Sequence, residues 1–367
     1  MLRSRSFVVV SLLMLVSVLL SACGGTPASA GNAGTGSVQI NGAGATFPLP
    51  VYTEWTYAYQ YVDPSVVVNY QGIGSGGGKK GIVDGTIDFA GSDSLLTDEE
   101  YAAGGDLQMY PVLAGAVVPI YNLEGVTSTI VLDRATLADI YLGKLKTWND
   151  PAIAALNPNV KLPGAGISVI HRSDGSGTTE IFTRALAAFS DEWKNGPGAG
   201  ASVEWPVDKA GSGVGGKGNA GVAAAVQNTP DSIGYVELSY AVQNKIQFAR
   251  MVNKAGQTVT AGAASLQAAM ADFAGGFDAK LTANIVDGAG AASWPMAGYT
   301  YIILHTGSMK DCAKAQKLLQ YLRWTLTDAG AAKRAADLGY SVLPDGVRTT
   351  VLARLGEVTC NGQPVVK

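Results

Sequence analysis

Histidine, cysteine and clustered charge are all scarce in this 367-residue chain. The two histidines, His171 and His305, are not linked by a metal-ligand spacing, so no metal centre is expected. The 26 Lys and Arg are outnumbered by 29 Asp and Glu, for a net charge of −3, and no basic run exists beyond Lys79-Lys80. Nucleic-acid binding draws on neutralised phosphates and is not expected here. No serine has glycines at both −2 and +2, so a nucleophile elbow is missing. No Gly-Lys pair is followed by Ser or Thr, so there is no P-loop. No pair of acidic residues is singled out by spacing as an acid/base couple. Lacking both a metal cluster and an activated nucleophile, the chain does not read as an enzyme.

Long apolar runs are also few. The N-terminal one, Phe7 to Leu20, is short for a membrane-spanning helix. Arg3 and Arg5 precede it and the small residues of Leu20-Ser21-Ala22-Cys23 follow, which is the layout of an export signal over residues 1–22. A cysteine at that point resembles a bacterial lipoprotein signal, whose product begins at Cys23 with lipid on that residue. A plain secretory signal is the other reading. Residues 23–37 are almost all Gly, Ala, Ser and Thr, too poor in apolar side chains to bury a core, and read as a flexible tether. The folded part then starts near Val38. It is long enough for two domains. The remaining cysteines, Cys312 and Cys360, can pair outside the cytoplasm or stand as two thiols; spacing does not decide between these.

What the chain has in abundance is glycine, 47 residues of it. The richest segment is His171-Arg172-Ser173-Asp174-Gly175-Ser176-Gly177-Thr178-Thr179-Glu180, directly before the helical pattern of Ile181, Phe182, Leu186 and Phe189. Small residues and hydroxyls followed by that period mark a helix N-terminus. Its unpaired N–H groups and the positive end of its dipole suit an oxyanion, and Arg172 adds a planar charged fork. A capped helix beside a solvated arginine is the plainer reading. Two further turns repeat the theme: Gly42 to Pro50 before Val51, Tyr52, Trp55 and Tyr59, and Gln71 to Gly78 after the run Val66 to Tyr70. Three such turns in one chain can converge on a single anion. An acidic protein must hold that anion by local dipoles and hydrogen bonds, not by a general positive field.

Strand-like runs at Val66 to Tyr70, Ile87 to Ala90, Met109 to Tyr121, Ile167 to His171, Ile233 to Val236 and Thr300 to His305 alternate with helical patterns. The latter are Ala135 to Leu142, Glu180 to Ala188, Asn219 to Asn228, Cys312 to Leu326 and Ala329 to Leu338. Such alternation predicts α/β domains with largely parallel sheets, whose anion sites lie at the carboxyl ends of strands. The glycine-rich stretch Gly211 to Gly221 reads as a surface loop. Gly72-Ile73-Gly74-Ser75-Gly76-Gly77 matches the dinucleotide fingerprint, with Asp93 about 20 residues on. Gly211 to Gly216 matches it too, and an exported chain has little access to nicotinamide cofactors, so no cofactor is expected.

These segments together resemble the bacterial phosphate-binding proteins, the substrate receptors of the high-affinity phosphate ABC importer. The residues that carry the resemblance are Gly42-Ala43-Gly44-Ala45-Thr46-Phe47-Pro48, Tyr70-Gln71-Gly72-Ile73-Gly74-Ser75, Asp88-Phe89-Ala90-Gly91-Ser92-Asp93, Ile140-Tyr141-Leu142-Gly143-Lys144, Arg172-Ser173-Asp174-Gly175-Ser176-Gly177-Thr178 and Ile233-Gly234-Tyr235-Val236-Glu237. The likeness runs in order from about residue 40 to beyond residue 345. It implies a two-lobed, type II-like periplasmic-binding-protein fold, with two mixed or parallel sheets flanked by helices and the ligand in the cleft between lobes. One lobe would hold residues 38–113 plus 298–367, the other 114–297, with a hinge at Ala114-Gly115-Ala116. For the ligand it implies donors at Thr46 and the Phe47 N–H, at Ser75, at the Arg172 fork and at Ser176, Gly177 and Thr178. Asp93 would accept the phosphate proton, and Asp174 would orient Arg172. Gly76 and His171 depart from the commoner pattern at positions that are not ligands. The implied protein is a monomer anchored outside the cytoplasm by lipid such as palmitate on Cys23. It would bind inorganic phosphate, pass it to the permease and ATPase subunits of an importer, and catalyse nothing. A receptor for a sulfate-like oxyanion and an exported phosphoesterase are the alternatives.

Overall fold

The computed structural model describes residues 37–365. The expected signal peptide, most of the expected tether and Cys23 lie outside them. The first strand, β1 (Val38–Gly44), runs parallel to both β2 (Val66–Gly72) and β3 (Phe89–Ser92). Between β1 and β2 lies α1 (Leu49–Val62), which buries Val51, Tyr52, Trp55, Ala58 and Tyr59, the face its apolar spacing predicts. Helix α2 (Ser75–Val83) follows β2 after a single tight turn.

Strand β4 (Leu107–Asn122) organises the rest. Its 16 residues are nearly all apolar and buried, and it is long enough to serve two sheets. Up to Ala116 it pairs antiparallel with the strand Ala297–His305, which joins it to β3 and β1. From Val117 onward it pairs with Ser232–Glu237, which leads to Ser168–Arg172 and Gly213–Gly216 in parallel. The two half-sheets are therefore one hydrogen-bonded path, β2-β1-β3, Ala297–His305, β4, Ser232–Glu237, Ser168–Arg172, Gly213–Gly216. Each half is mixed: β1, β2 and β3 are parallel, as are Ser232–Glu237, Ser168–Arg172 and Gly213–Gly216, whereas Ala297–His305 is antiparallel to both β3 and β4, and Ser232–Glu237 is antiparallel to β4. This is the α/β, two-lobed architecture expected.

The expected helices recur with ends moved by a few residues, for example Gly177–Phe189 and Cys312–Thr327. One expectation is corrected. The stretch Gly211 to Gly221 is not a loop throughout: within it, Gly213–Gly216 is a strand parallel to Ser168–Arg172. A Cβ on Gly216 would stand 2.8 Å from the Val222 nitrogen, so close backbone packing selects glycine here against its poor strand propensity. A disulfide joins Cys312 and Cys360, with Cα atoms 5.5 Å apart. Among the described residues no helix is long and apolar enough to cross a membrane.

Candidate functional site

The three glycine-rich turns meet where the two half-sheets face one another. The strand Ser168–Arg172 delivers Arg172 at its carboxyl end, and the turn after it ends in the N-cap of the helix Gly177–Phe189. Ser176 is that cap: its backbone is extended and its Oγ accepts the Thr179 N–H at 3.0 Å. The hydroxyl keeps its own proton to donate. From the facing half come the turn after β1, with Thr46 and Phe47, and the start of α2, with Ser75. Asp93 follows β3.

Every expected contact residue is in this one buried cluster. Thr46, Phe47, Ser75, Asp93, Arg172, Ser176 and Thr178 are all buried, and Gly177 with them. Ser75 Oγ accepts the Asp93 N–H at 3.3 Å and the Gly177 N–H at 3.1 Å, tying three of them across the interface. The Gly177 N–H, expected to face an anion, is engaged here by that hydroxyl oxygen, its nearest acceptor. Among the described residues the N–H groups of Phe47 and Thr178 have no protein acceptor. Closure is intimate enough to dictate glycine twice. A Cβ on Gly177 would fall 2.5 Å from Asp93 Cβ, and one on Gly74, whose φ is +89°, 2.4 Å from Asp174 Oδ2.

The charges are arranged in pairs. Arg172 Nε and NH2 donate to the two Asp174 oxygens at 2.7 and 2.6 Å, the bidentate fork that fixes the guanidinium plane. Arg172 NH1 lies 3.4 Å from Thr178 Oγ1. Burial works against the Asp174 charge, but the Arg172 fork and the Gly218 N–H outweigh it and hold the carboxyl below its usual range. Asp93 is different. Thr300 Oγ1 donates to its Oδ1 at 2.7 Å, while its Oδ2 is buried with no partner among the described residues. Burial pushes this carboxyl up to about 7, against the lowering pull of Thr300 and the Arg172 charge. A buried acceptor without a donor is a strong demand for one.

Three further residues act here that the sequence reading missed. Asn219 Nδ2 donates to Thr46 Oγ1 at 2.9 Å and to Thr178 Oγ1 at 3.0 Å, and its backbone N–H also reaches Thr46 Oγ1. It thereby fills the acceptor side of both hydroxyls and leaves their protons for a ligand. Tyr240 donates to the Thr46 carbonyl at 2.6 Å, fixing the peptide whose other end is the Phe47 N–H. Thr300 holds Asp93. A signal for Asn219 exists: it sits one residue inside a helix that begins after a glycine run, as the other turns do. Among the described residues no group of three His, Cys, Asp or Glu is placed to hold a metal ion. What the cluster can do is surround a small oxyanion with hydroxyl and amide donors, one charged fork and one acceptor.

Comparison with known proteins gives the following. The family described as the PBP superfamily domain matches residues 26–329. The phosphate-binding protein PstS of Xylella fastidiosa (strain 9a5c) is 42% identical over 322 residues, covering 87% of this chain and 85% of its own. The phosphate-binding protein PstS of Methanocaldococcus jannaschii is 34% identical over 359 residues, covering 92% of each chain. Among solved structures, a high-affinity periplasmic phosphate-binding protein bound with phosphate superposes with a TM-score of 0.68 at 22% identity, covering 86% of this chain and 93% of that one.

Proposed function

Since the chain belongs to the phosphate-binding proteins of the PBP superfamily, we propose that it binds inorganic phosphate outside the cytoplasmic membrane and delivers it to the permease and ATPase subunits of an ABC importer. The observation that carries the reading is the unpartnered Asp93 Oδ2, one acceptor set among donors. Phosphate at neutral pH keeps at least one proton and answers that acceptor, whereas sulfate has none to offer. The ligand set is Thr46, the Phe47 N–H, Ser75, Asp93, Arg172, Ser176, Gly177 and Thr178, with Asp174 orienting Arg172. The protein acts as a receptor and not as a catalyst.

In the same reading the lobes comprise residues 38–113 plus 298–367 and residues 114–297, and they hinge at Ala114-Gly115-Ala116, next to the point where β4 changes partner. The chain works as a monomer held by lipid on Cys23, which mass spectrometry of the native N-terminus would reveal or rule out. Calorimetry of the ligand-stripped protein with phosphate, sulfate and arsenate tests the main claim. Tight phosphate binding with weak sulfate binding is expected. Tighter binding of sulfate, or hydrolysis of phosphoesters by the purified protein, would overturn it.

A further inference from the structure

Glu237 ends the strand Ser232–Glu237, is fully buried, and belongs to no part of the site described so far. Its Oε2 accepts the Ser239 N–H at 2.9 Å and touches the Ser239 hydroxyl. The same oxygen lies 2.8 Å from the Tyr340 hydroxyl, which lies 2.6 Å from the carbonyl oxygen of Phe47. The protons of this chain can be counted. A carbonyl oxygen only accepts, and a phenol has one proton. With Glu237 ionised, Tyr340 faces two acceptors with that single proton, and one of the two short contacts holds no hydrogen. With a proton on Oε2 both short contacts of Tyr340 hold a hydrogen: Glu237 donates to Tyr340, Tyr340 donates to the Phe47 carbonyl, and Ser239 donates to Oε2, while Oε1 stays buried without a partner among the described residues.

We propose that Glu237 is a neutral carboxylic acid in the closed cleft, and that its proton, relayed as a hydrogen bond through Tyr340 to the Phe47 carbonyl, positions the ligand-binding turn. The inference rests on the phosphate reading given above. Burial pushes the Glu237 carboxyl up to about 8, over the lowering pull of Ser239 and Tyr340 and with the Asp93 charge adding to the rise. The titratable groups that act with it are Tyr340, Tyr240 and Asp93. Arg172, the cation of the site, is held by Asp174. A second ionised carboxyl here would stand against the bound anion. A neutral one keeps its hydrogen bond and adds no repulsion.

Glu237 and Phe47 lie on opposite lobes, so opening parts the chain and wets the carboxyl, which returns toward its ordinary value of about 4.3. Closure then takes up a proton in the window from about 4 to about 8. The closed-state value is the raised one, so affinity is full below that window and falls as pH rises through it, by at most about tenfold per pH unit, then levels off.

Phosphate titrations of the intact protein across this range, for wild type and Glu237→Gln, test the idea. Titration of phosphate and of Asp93 is common to both proteins and largely cancels in their ratio. The wild-type Kd divided by the variant Kd should climb with pH and flatten above about 8. A ratio constant across the range overturns the proposal. If wild type binds no phosphate, it is the functional reading that fails. Infrared spectroscopy then still decides the protonation state. A protonated-carboxyl band at neutral pH should shift on carbon-13 glutamate labelling and be missing from Glu237→Gln. Absence of such a band refutes a neutral Glu237. Should the variant not fold, loss of the wild-type band as pH rises through about 8 supports the proposal, and a labelled band that ignores pH there overturns it.

Discussion

Replacing Asp93 with Asn removes one charge from the cluster and almost no volume. The geometry says how the amide would sit. Its oxygen takes the place of Oδ1 and accepts from Thr300, which is 2.7 Å away, while its nitrogen takes the unpartnered place of Oδ2. An acceptor facing the cleft becomes a donor facing the cleft. For sulfate this removes a charged acceptor opposed to another acceptor, an arrangement that costs on the order of 1–3 kcal/mol. At about 1.4 kcal/mol per tenfold, sulfate should bind about 5- to 100-fold more tightly. For phosphate the lost charge-assisted bond is offset by relief of anion–anion repulsion, so its affinity moves less. The phosphate-over-sulfate ratio should therefore narrow by about 5- to 100-fold, by way of sulfate. Calorimetry with both anions measures it, and an unchanged ratio would make Asp93 a structural cap.

The same substitution has a second readout that involves no ligand. Burial raises the Asp93 carboxyl from 3.8 to about 7. Because the folded value is the raised one, this group's contribution to stability is full below about 4 and is lost as pH climbs toward 7. A rise of that size corresponds to about 4 kcal/mol, an order-of-magnitude figure for a fully buried group. The asparagine variant does not titrate. Its melting temperature relative to wild type should rise between about pH 4 and pH 7 and stay level above. A difference that shrinks with rising pH would contradict the burial argument.

The remaining predictions concern neighbours. Arg172→Lys should bind phosphate less well than wild type, and Arg172→Ala worse still, with a loss on the order of 2–5 kcal/mol for the alanine, because lysine cannot match both Asp174 oxygens; titrations of both variants within twofold of wild type would remove Arg172 from the site. Gly177→Ala puts a methyl 2.5 Å from Asp93 Cβ. Overpacking of that kind costs about 1–3 kcal/mol, so affinity should drop up to about 100-fold and small-angle scattering should show a more open molecule; wild-type affinity would mean the lobes do not need to approach this closely. Changing Cys312 and Cys360 together to alanine should lower stability by roughly 2–4 kcal/mol, seen in thermal melts, with phosphate affinity retained, since neither residue touches the site network.

What was legible in the chain follows a physical line. The glycine turns could be read because a backbone that presents its own N–H groups to a ligand must be small and must begin a helix, and both properties are local. Val51, Tyr52, Trp55 and Tyr59 could be read for the same reason: the period of a helix is local. The partnerships that finish the site are not. Thr300 is 207 residues from Asp93, and Asn219 is 173 from Thr46. Nothing in the spacing of residues that far apart brings them into contact; for Thr300 the pairing of β3 with Ala297–His305 does, and for Asn219 the facing of the two half-sheets. The strand Gly213–Gly216 stayed hidden because its glycines carry no strand propensity, and only their packing explains them: Gly216 against the backbone of Gly221 and Val222, Gly213 against Asp208 and Gly215 against Ser173.

That division also explains how an acidic protein with net charge −3 can hold an anion at all. The one arginine of the site is already balanced by Asp174 at 2.6 and 2.7 Å, so the pair contributes direction more than charge. Asp93 adds a negative group whose charge burial disfavours. What remains to attract the ligand is the set of N–H and O–H dipoles on the Gly-rich turns, each held by a partner on the acceptor side: Ser176 by Thr179, Thr46 and Thr178 by Asn219, the Thr46 carbonyl by Tyr240. Dipoles fixed in this way are already oriented in the closed cleft, and they favour an anion by where its protons sit instead of by total charge. A field of lysines would bind sulfate and phosphate alike and weaken in salt. A shell of oriented donors with a single acceptor would distinguish the two at the one position where phosphate has a hydrogen and sulfate does not.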